Sequence, residues 1–294
     1  MPTTETLPYG TDHALQTVTV TTLDNPNPEG YWVILIHGGA WRDPTQTSSS
    51  YLTPALTTLT TNPLYTTTTT PHIAALASIS YRLSPHPAHP QDPVTTSPYD
   101  LRAAKHPDHL ADIRAAISFL KDRYGFGGRY ILVGHSCGAT LAFQGVMRAL
   151  GLQVQVQAQV KSPVGIVGMA GIYDLKLLRD CHAAVDAYQA FIVGAFGEDE
   201  GLWDSVSPAR VRGGGGVVGG WKGGRLAVLA NSPEDGLVDP KQREAMRGLL
   251  GEWVEGGEGR RVEVLDIVGD HDDAWEKGEG LARAIAFAVE KLRE

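Results

Sequence analysis

The chain has 294 residues, of which 42% are hydrophobic and 20% are charged, and its formal net charge is -8. This length and composition are typical of a soluble globular protein, and we expect one domain over residues 1–294 rather than two. The acidic balance, without a dense block of lysine and arginine, argues against a nucleic acid or an anionic membrane as a partner.

The first ten residues, MPTTETLPYG, contain neither the basic nor the apolar region of a secretory signal peptide. No later window approaches the roughly 20 apolar residues that a transmembrane helix needs. Cysteine occurs only at Cys137 and Cys181, which is too few for a disulfide framework and favours a reducing compartment. We therefore predict a cytoplasmic protein.

Short apolar segments alternate with helical patterns along the chain. This alternation predicts an α/β fold with a mostly parallel central sheet flanked by helices. The predicted strands are VTVTTL, YWVILIHG, IAALASISYRL, RYILVGHS, SPVGIVGMAG, RLAVLANS and VEVLDIVGD. The predicted helices are HPDHLADIRAAISFLKDRYG, CGATLAFQGVMRALG, DPKQREAMRGLLGEWV and LARAIAFAVEKLRE.

Four other segments have unusual compositions. Residues 45–70 are rich in threonine and serine, which favours a surface loop or a helix flanked by loops. Residues 84–107 are rich in proline and histidine and predict a long ordered loop. The glycine-rich residues 213–224 resemble a flexible surface excursion and lack the strand-loop-helix context of a phosphate site. Residues 174–210 contain no predicted strand, and we expect a small helical cap insertion there.

The segment Gly134-His135-Ser136-Cys137-Gly138 matches the pattern G-x-S-x-G. It lies directly after a predicted strand and directly before a predicted helix, where a sharp turn exposes the serine hydroxyl. The pattern alone is common by chance, but this context predicts Ser136 as a nucleophile.

A serine nucleophile needs a base and a carboxylate, which in this architecture follow in the order Ser, Asp, His. Asp235 leads the turn after the strand LAVLA, with Asp239 as an alternative that could equally cap the next helix. His271 follows the strand VEVLDIVGD and is the predicted base. Its neighbours, which could simply cap a loop, are Asp270, Asp272 and Asp273.

Attack by Ser136 on a carbonyl creates an oxyanion that needs preorganised N–H donors. The amide of Cys137, directly after the nucleophile, is one predicted donor. Gly38 and Gly39 follow an early strand and are the other predicted donors, although an ordinary tight turn would also explain two glycines. The side chain of Cys137 is expected to point away from the site.

Two H-x-x-H pairs could suggest a metal site, His86 with His89 and His106 with His109. Zinc sites usually add cysteine ligands or an H-E-x-x-H helix, and a serine hydrolase needs no metal. We therefore expect no metal and no cofactor, and we expect these histidines to order their loop through hydrogen bonds.

Five segments in one continuous order resemble the fungal kynurenine formamidases (arylformamidases) of the α/β-hydrolase superfamily. They are HGGAW at 37–41, SISYRLSPHP at 78–87, HPDHLADIRAAISFL at 106–120, GHSCGA at 134–139 and GIYDL at 171–175. The resemblance implies hydrolysis of N-formyl-L-kynurenine to L-kynurenine and formate, in tryptophan degradation upstream of NAD synthesis. It also implies a triad and three oxyanion donors, namely Ser136, Asp235, His271, Gly38, Gly39 and Cys137.

The departing arylamine needs a large, partly apolar chamber. Trp41, Tyr81 and Trp275 are the candidate substrate-binding residues, because they lie close in sequence to the oxyanion loop or the base. Arg42 and the insert at 213–224 depart from the pattern expected of the family, and Arg42 could be either a ligand for the amino-acid end or a solvated surface charge.

Two other functions stay open at this stage. A broad-specificity carboxylesterase would use the same triad with a differently shaped pocket. A non-catalytic binding protein would keep the scaffold without the chemistry. The expected partner is a small-molecule substrate, and a homodimer is an open alternative to a monomer.

Overall fold

A computed structural model of the protein describes residues 2–150 and 161–294. Across these residues an eight-stranded sheet has the order β1-β2-β4-β3-β5-β6-β7-β8. The first three strands in this order pair antiparallel, and all later pairs are parallel. The strands are β1 (Thr3–Pro8), β2 (Thr17–Thr22), β3 (Tyr31–Ile36), β4 (Ile73–Ile79), β5 (Tyr130–His135), β6 (Gly165–Met169), β7 (Leu226–Asn231) and β8 (Arg261–Asp266).

Helices cover both faces of this sheet, so the predicted α/β fold is confirmed. They are α1 (Ser48–Thr61), α2 (Pro63–Thr68), α3 (Asp108–Tyr124), α4 (Cys137–Gln144), α5 (Leu175–Cys181), α6 (Asp186–Phe196), α7 (Glu200–Val206), α8 (Val217–Gly220), α9 (Lys241–Glu255), α10 (Asp273–Glu276) and α11 (Glu279–Arg293).

Two apolar layers form the core, one on each face of the sheet. Helices α3, α4 and α9 contribute buried side chains to one layer, and α1 and α11 contribute to the other. The central strands β4 to β7 are buried along their whole length, as expected for parallel strands with helices on both faces. Among the described helices, none combines the length and apolar character needed to cross a bilayer.

All seven predicted strands are present, but β1 was not predicted. Its sequence, TTETLP, is polar and mostly exposed. It pairs with β2 through the backbone and through threonine hydroxyls, with 2.8 Å between Oγ1 of Thr4 and Thr21 and 3.1 Å between Oγ1 of Thr6 and Thr19. An apolar pattern cannot reveal such an edge strand.

The threonine-rich segment is helical, which agrees with the alternative of a helix flanked by loops. In α1 the exposed threonine hydroxyls donate to the carbonyl four residues earlier, for example Thr57 to Thr53 O at 2.9 Å. The opposite side of α1 buries Tyr51, Leu52 and Leu59 against the sheet. The predicted helix at 137–151 is shorter than expected, because α4 ends at Gln144; residue 151 lies outside the described residues.

The glycine-rich segment 213–224 is not a flexible excursion, and that prediction was wrong. It contains a 3-10 turn and α8, and it buries Val217 and Trp221 completely. The Trp221 ring stacks on Trp253 with 4.4 Å between ring centres. A Cβ at Gly220 would lie 2.0 Å from the carbonyl oxygen of Val146, so the glycine permits a close backbone approach.

Residues 84–107 contain no described helix or strand and are held by hydrogen bonds to one another, including one from Ser84 Oγ to Ala104 O at 2.8 Å. Residues 174–210, where we expected a cap, contain α5, α6 and α7.

Candidate active site

Ser136 lies in the sharp turn between β5 and α4. Its backbone has φ 54° and ψ -120°, a conformation that non-glycine residues rarely adopt. The chain can turn so tightly because both flanking positions are glycines: a Cβ at Gly134 would lie 2.3 Å from Gly138 O, and a Cβ at Gly138 would lie 2.2 Å from Ile36 O. This is the geometry expected of a nucleophile elbow.

His271 and Asp235 form a buried pair after the last two strands of the sheet. His271 Nδ1 lies 2.8 Å from Asp235 Oδ2, and the side chains are 8% and 1% exposed. The other carboxylate oxygen, Oδ1, accepts hydrogen bonds from the amides of Leu237 and Val238 at 2.9 and 3.0 Å. Burial opposes ionisation of Asp235, but the hydrogen bond and charge of His271 and these two amides outweigh it and lower the pKa of the carboxyl.

Asp239, the alternative carboxylate, serves a different purpose. Its Oδ1 accepts the backbone N–H of Lys241 at 2.8 Å, at the start of α9. The acidic neighbours of His271 are also engaged locally: Asp272 accepts the indole N–H of Trp275 at 2.9 Å, and Asp273 pairs with Lys277 at 2.8 Å. The geometry therefore selects Asp235 as the partner of His271.

His135 was not singled out from the sequence, yet it contacts His271, the predicted base, directly. Its Nε2 donates to the backbone carbonyl of His271 at 2.9 Å, and the two rings are 4.6 Å apart between centres. Burial lowers the pKa of His135 to about 3, so the ring is neutral. Because Nε2 carries the proton, Nδ1 is an acceptor, and it lies 2.7 Å from where a Cβ on Gly38 would be. The sequence pointed to His135 only in that it occupies the first variable position of G-x-S-x-G.

The predicted oxyanion loop, residues 37–41, follows β3 and has positive φ at Gly39, Ala40 and Trp41. The hydroxyl of Tyr81 donates to His37 O at 3.0 Å and to Gly38 O at 3.2 Å. Within the described part of the chain, the amides of Gly38 and Gly39 donate to no protein atom. The loop carbonyls are therefore held from one side, which leaves both amides available to a ligand.

Cys137 contributes its amide to the same region while its side chain faces the loop. The backbone N–H of Trp41 donates to Cys137 Sγ at 3.2 Å. Burial raises the pKa of the Cys137 thiol to about 11, so the thiol is un-ionised and acts in packing.

The three candidate substrate-binding residues are buried in two different layers of the core. Trp41 and Tyr81 are buried in the core layer that contains α3 and α4, whereas Trp275 is buried in the other layer and packs on Tyr51. Trp41 contacts the helices after β6, with its ring 5.0 Å from that of Phe196. Contact of each with a substrate stays a prediction.

The H-x-x-H histidines do not converge on a common point. His109 is buried with Nε2 3.1 Å from Ser84 Oγ, and the His106 ring stacks on Phe196. In the described ranges, one group of three potential ligands has its atoms within 4.8 Å of one another, and it coincides with the site above: His135, His271 and Asp272.

No family model matches the chain. A kynurenine formamidase-like hydrolase of Fusarium equiseti is 40% identical over 90% of this chain and 85% of its own length. A kynurenine formamidase of Aspergillus versicolor is 35% identical over 95% of this chain and 98% of its own length.

Solved structures with a similar fold are esterases of low sequence identity. A truncated carbohydrate esterase from gut microbiota has a TM-score of 0.66 at 16% identity, covering 99% of this chain and 97% of its own. Esterase B of Lactobacillus rhamnosis, inhibited in the crystal, has a TM-score of 0.64 at 15% identity, covering 99% and 88%. At this identity the likeness shows the fold alone.

Proposed function

Because this chain belongs to the kynurenine formamidase family of α/β-hydrolases, we propose that it hydrolyses N-formyl-L-kynurenine to L-kynurenine and formate. The observation that carries the proposal is the buried hydrogen bond of 2.8 Å between His271 and Asp235, on the sheet edge where Ser136 also lies. The step belongs to tryptophan degradation upstream of NAD synthesis.

In the first half-reaction, Ser136 Oγ attacks the formyl carbon and its proton passes to His271 Nε2. Asp235 holds Nδ1–H and stabilises the imidazolium that forms, which agrees with its lowered pKa. The carbonyl oxygen becomes an oxyanion, and the amides of Gly38, Gly39 and Cys137 are its donors.

Collapse of this intermediate breaks the bond between the formyl carbon and the aniline nitrogen. His271 gives its proton to that nitrogen, so L-kynurenine leaves as a neutral amine and Ser136 retains the formyl group as an ester. Water then attacks the formyl-enzyme, with His271 accepting its proton, and formate is released as the serine hydroxyl is restored.

The crowded elbow suits this substrate on its acyl side. A formyl group carries only hydrogen on the carbon under attack, so it fits beside the buried Ser136, which is 6% exposed. The oxyanion loop packs closely on this turn, since a Cβ added to Gly38 would lie 3.1 Å from Ser136 Cβ. The 40% identity to a kynurenine formamidase-like hydrolase is what favours a formamidase over a broad carboxylesterase.

Asp235 and Asp239 form a matched pair that tests the proposal. We expect Asp235→Asn to lower kcat for N-formyl-L-kynurenine by about 10³- to 10⁴-fold, because an amide no longer holds the His271 tautomer. We expect Asp239→Asn, which alters only the start of α9, to stay within about threefold of the wild type. Equal losses in the two variants would contradict the proposed triad.

A further inference from the structure

Arg42 directly follows the oxyanion loop, and among the described residues no carboxylate bonds to its guanidinium. It is half-buried, and its backbone N–H donates to Gly39 O at 2.9 Å, which ties it to a residue that supplies an oxyanion amide. Among the described residues, its guanidinium makes no hydrogen bond and has no carboxylate within 4.0 Å. The carboxylate next in sequence, Asp43, accepts hydrogen bonds from Thr45 instead.

Other half-buried arginines of the chain are engaged. Arg82 forms a hydrogen-bonded pair with Asp112 at 2.8 Å, Arg114 donates to three backbone carbonyls, and Arg243 pairs with Asp266 at 3.2 Å. Burial lowers the pKa of the Arg42 guanidinium and the charge of Asp43 offsets this only in part, so within the described residues the guanidinium lacks a directly bonded anion. A bound carboxylate would supply that anion.

A row of aromatic rings connects Arg42 with the triad loop. The Arg42 guanidinium carbon lies 5.7 Å from the ring centre of Phe191, and the Phe191 ring lies 5.5 Å from that of Tyr188. Tyr188 donates its hydroxyl to Leu237 O at 2.7 Å, and the Leu237 amide is bonded to Asp235. Both rings lie on α6, and each remains 8–9% exposed.

The Arg42 guanidinium and the rings of Phe191 and Tyr188 match the chemistry of an aryl formamide that carries a carboxylate at its other end. A formamide reacting at Ser136 extends its aryl ring from the triad, and rings at the site's edge offer it a stacking surface. We propose that Arg42 binds the α-carboxylate of the substrate, with Phe191 and Tyr188 along the path of the aryl ring. This inference rests on the proposed function and names the part of the substrate that distinguishes it from a simple aryl formamide.

The test compares N-formyl-L-kynurenine with the neutral 2′-formamidoacetophenone, which keeps the aryl formamide and the ketone but lacks the amino-acid end with its carboxylate. We expect Arg42→Gln to raise KM for formylkynurenine by about 10- to 100-fold with a small effect on kcat, because a charge-assisted hydrogen bond is lost in ground and transition states alike. For the neutral substrate, kcat/KM of Arg42→Gln should fall by less than about threefold. Arg42→Lys should restore part of the loss, since it keeps the charge but not the planar fork.

Arg283→Gln is the matched control, because Arg283 is exposed on α11 on the other face of the sheet. This variant should leave kcat and KM unchanged for both substrates. If Arg42→Gln affects both substrates equally, or affects neither, Arg42 does not bind the carboxylate, although the wild type still hydrolyses formylkynurenine. If the wild type does not hydrolyse formylkynurenine at all, the proposed function fails instead.

Discussion

His135 connects the base with the oxyanion loop through one buried ring. Its hydrogen bond to the carbonyl of His271 fixes the backbone that carries the base, and Gly38 packs against its other nitrogen. We expect His135→Phe to lower kcat for formylkynurenine by about 10- to 100-fold with KM nearly unchanged, because the base is displaced in the transition state while binding persists.

His135→Gln keeps an N–H donor and should recover part of that kcat. A purely structural role would instead lower the amount of folded enzyme and leave kcat per active site unchanged. Titration of active sites with a fluorophosphonate, followed by kcat on the titrated enzyme, separates these results. Wild-type kcat in His135→Phe would show that the ring does not position His271.

The residues of the triad differ in how far the sequence could identify them. The sequence was enough to place Ser136 in a sharp turn, because the strand before it and the helix after it are both predicted from local patterns. Asp235 and Asp239 lie in the same loop between β7 and α9 and both accept backbone amides, so the 2.8 Å contact with His271 is what separates them. His135 was missed because its partner is 136 residues away in the chain.

At the level of elements, the glycine-rich segment 213–224 is part of the packed structure. A Cβ at Gly220 would lie 2.0 Å from Val146 O, whereas a Cβ at Gly214 would meet nothing within 4 Å. We therefore expect Gly220→Ala to lower the free energy of unfolding by about 1–3 kcal/mol, and Gly214→Ala to change it by less than about 0.5 kcal/mol.

Urea denaturation of both variants beside the wild type measures this difference. Equal stability of the two variants would show that the segment is loose, as its composition had suggested. Composition gave the wrong expectation because the contacts that fix these glycines come from Val146 and Val211, which lie outside the segment. The strand β1 was missed for a related reason: its partner β2 is what makes the polar sequence a strand.

At the level of the whole molecule, buried neutral histidines make stability depend on pH. Burial lowers the pKa of His37 to about 4 and the pKa of His109 and His135 to about 3. In the unfolded chain a histidine has a pKa near 6.5, so below that pH the unfolded state binds more protons than the folded state. The free energy of unfolding should fall as the pH drops from about 6.5 towards 4, by up to about 1.4 kcal/mol per pH unit for each histidine.

Urea denaturation between pH 7 and pH 5 measures this dependence, and His109→Gln should reduce its slope because one buried titrating group is removed. His89→Gln is the control, since His89 is exposed. An unchanged slope in His109→Gln would contradict this explanation of the pH dependence.

The alternation of strands and helices was enough to predict the fold class, but the order of β1 to β4 in the sheet depends on tertiary pairing that a single sequence does not specify.

The most direct measurement compares hydrolysis of N-formyl-L-kynurenine and p-nitrophenyl acetate by the wild type and by Ser136→Ala from matched preparations. We predict a strong preference of the wild type for formylkynurenine in kcat/KM, and a loss of at least about 10³-fold on both substrates in Ser136→Ala. Turnover of the ester alone would agree with the proposed triad but would contradict the assignment as a formamidase. Wild-type activity in Ser136→Ala would contradict the triad itself.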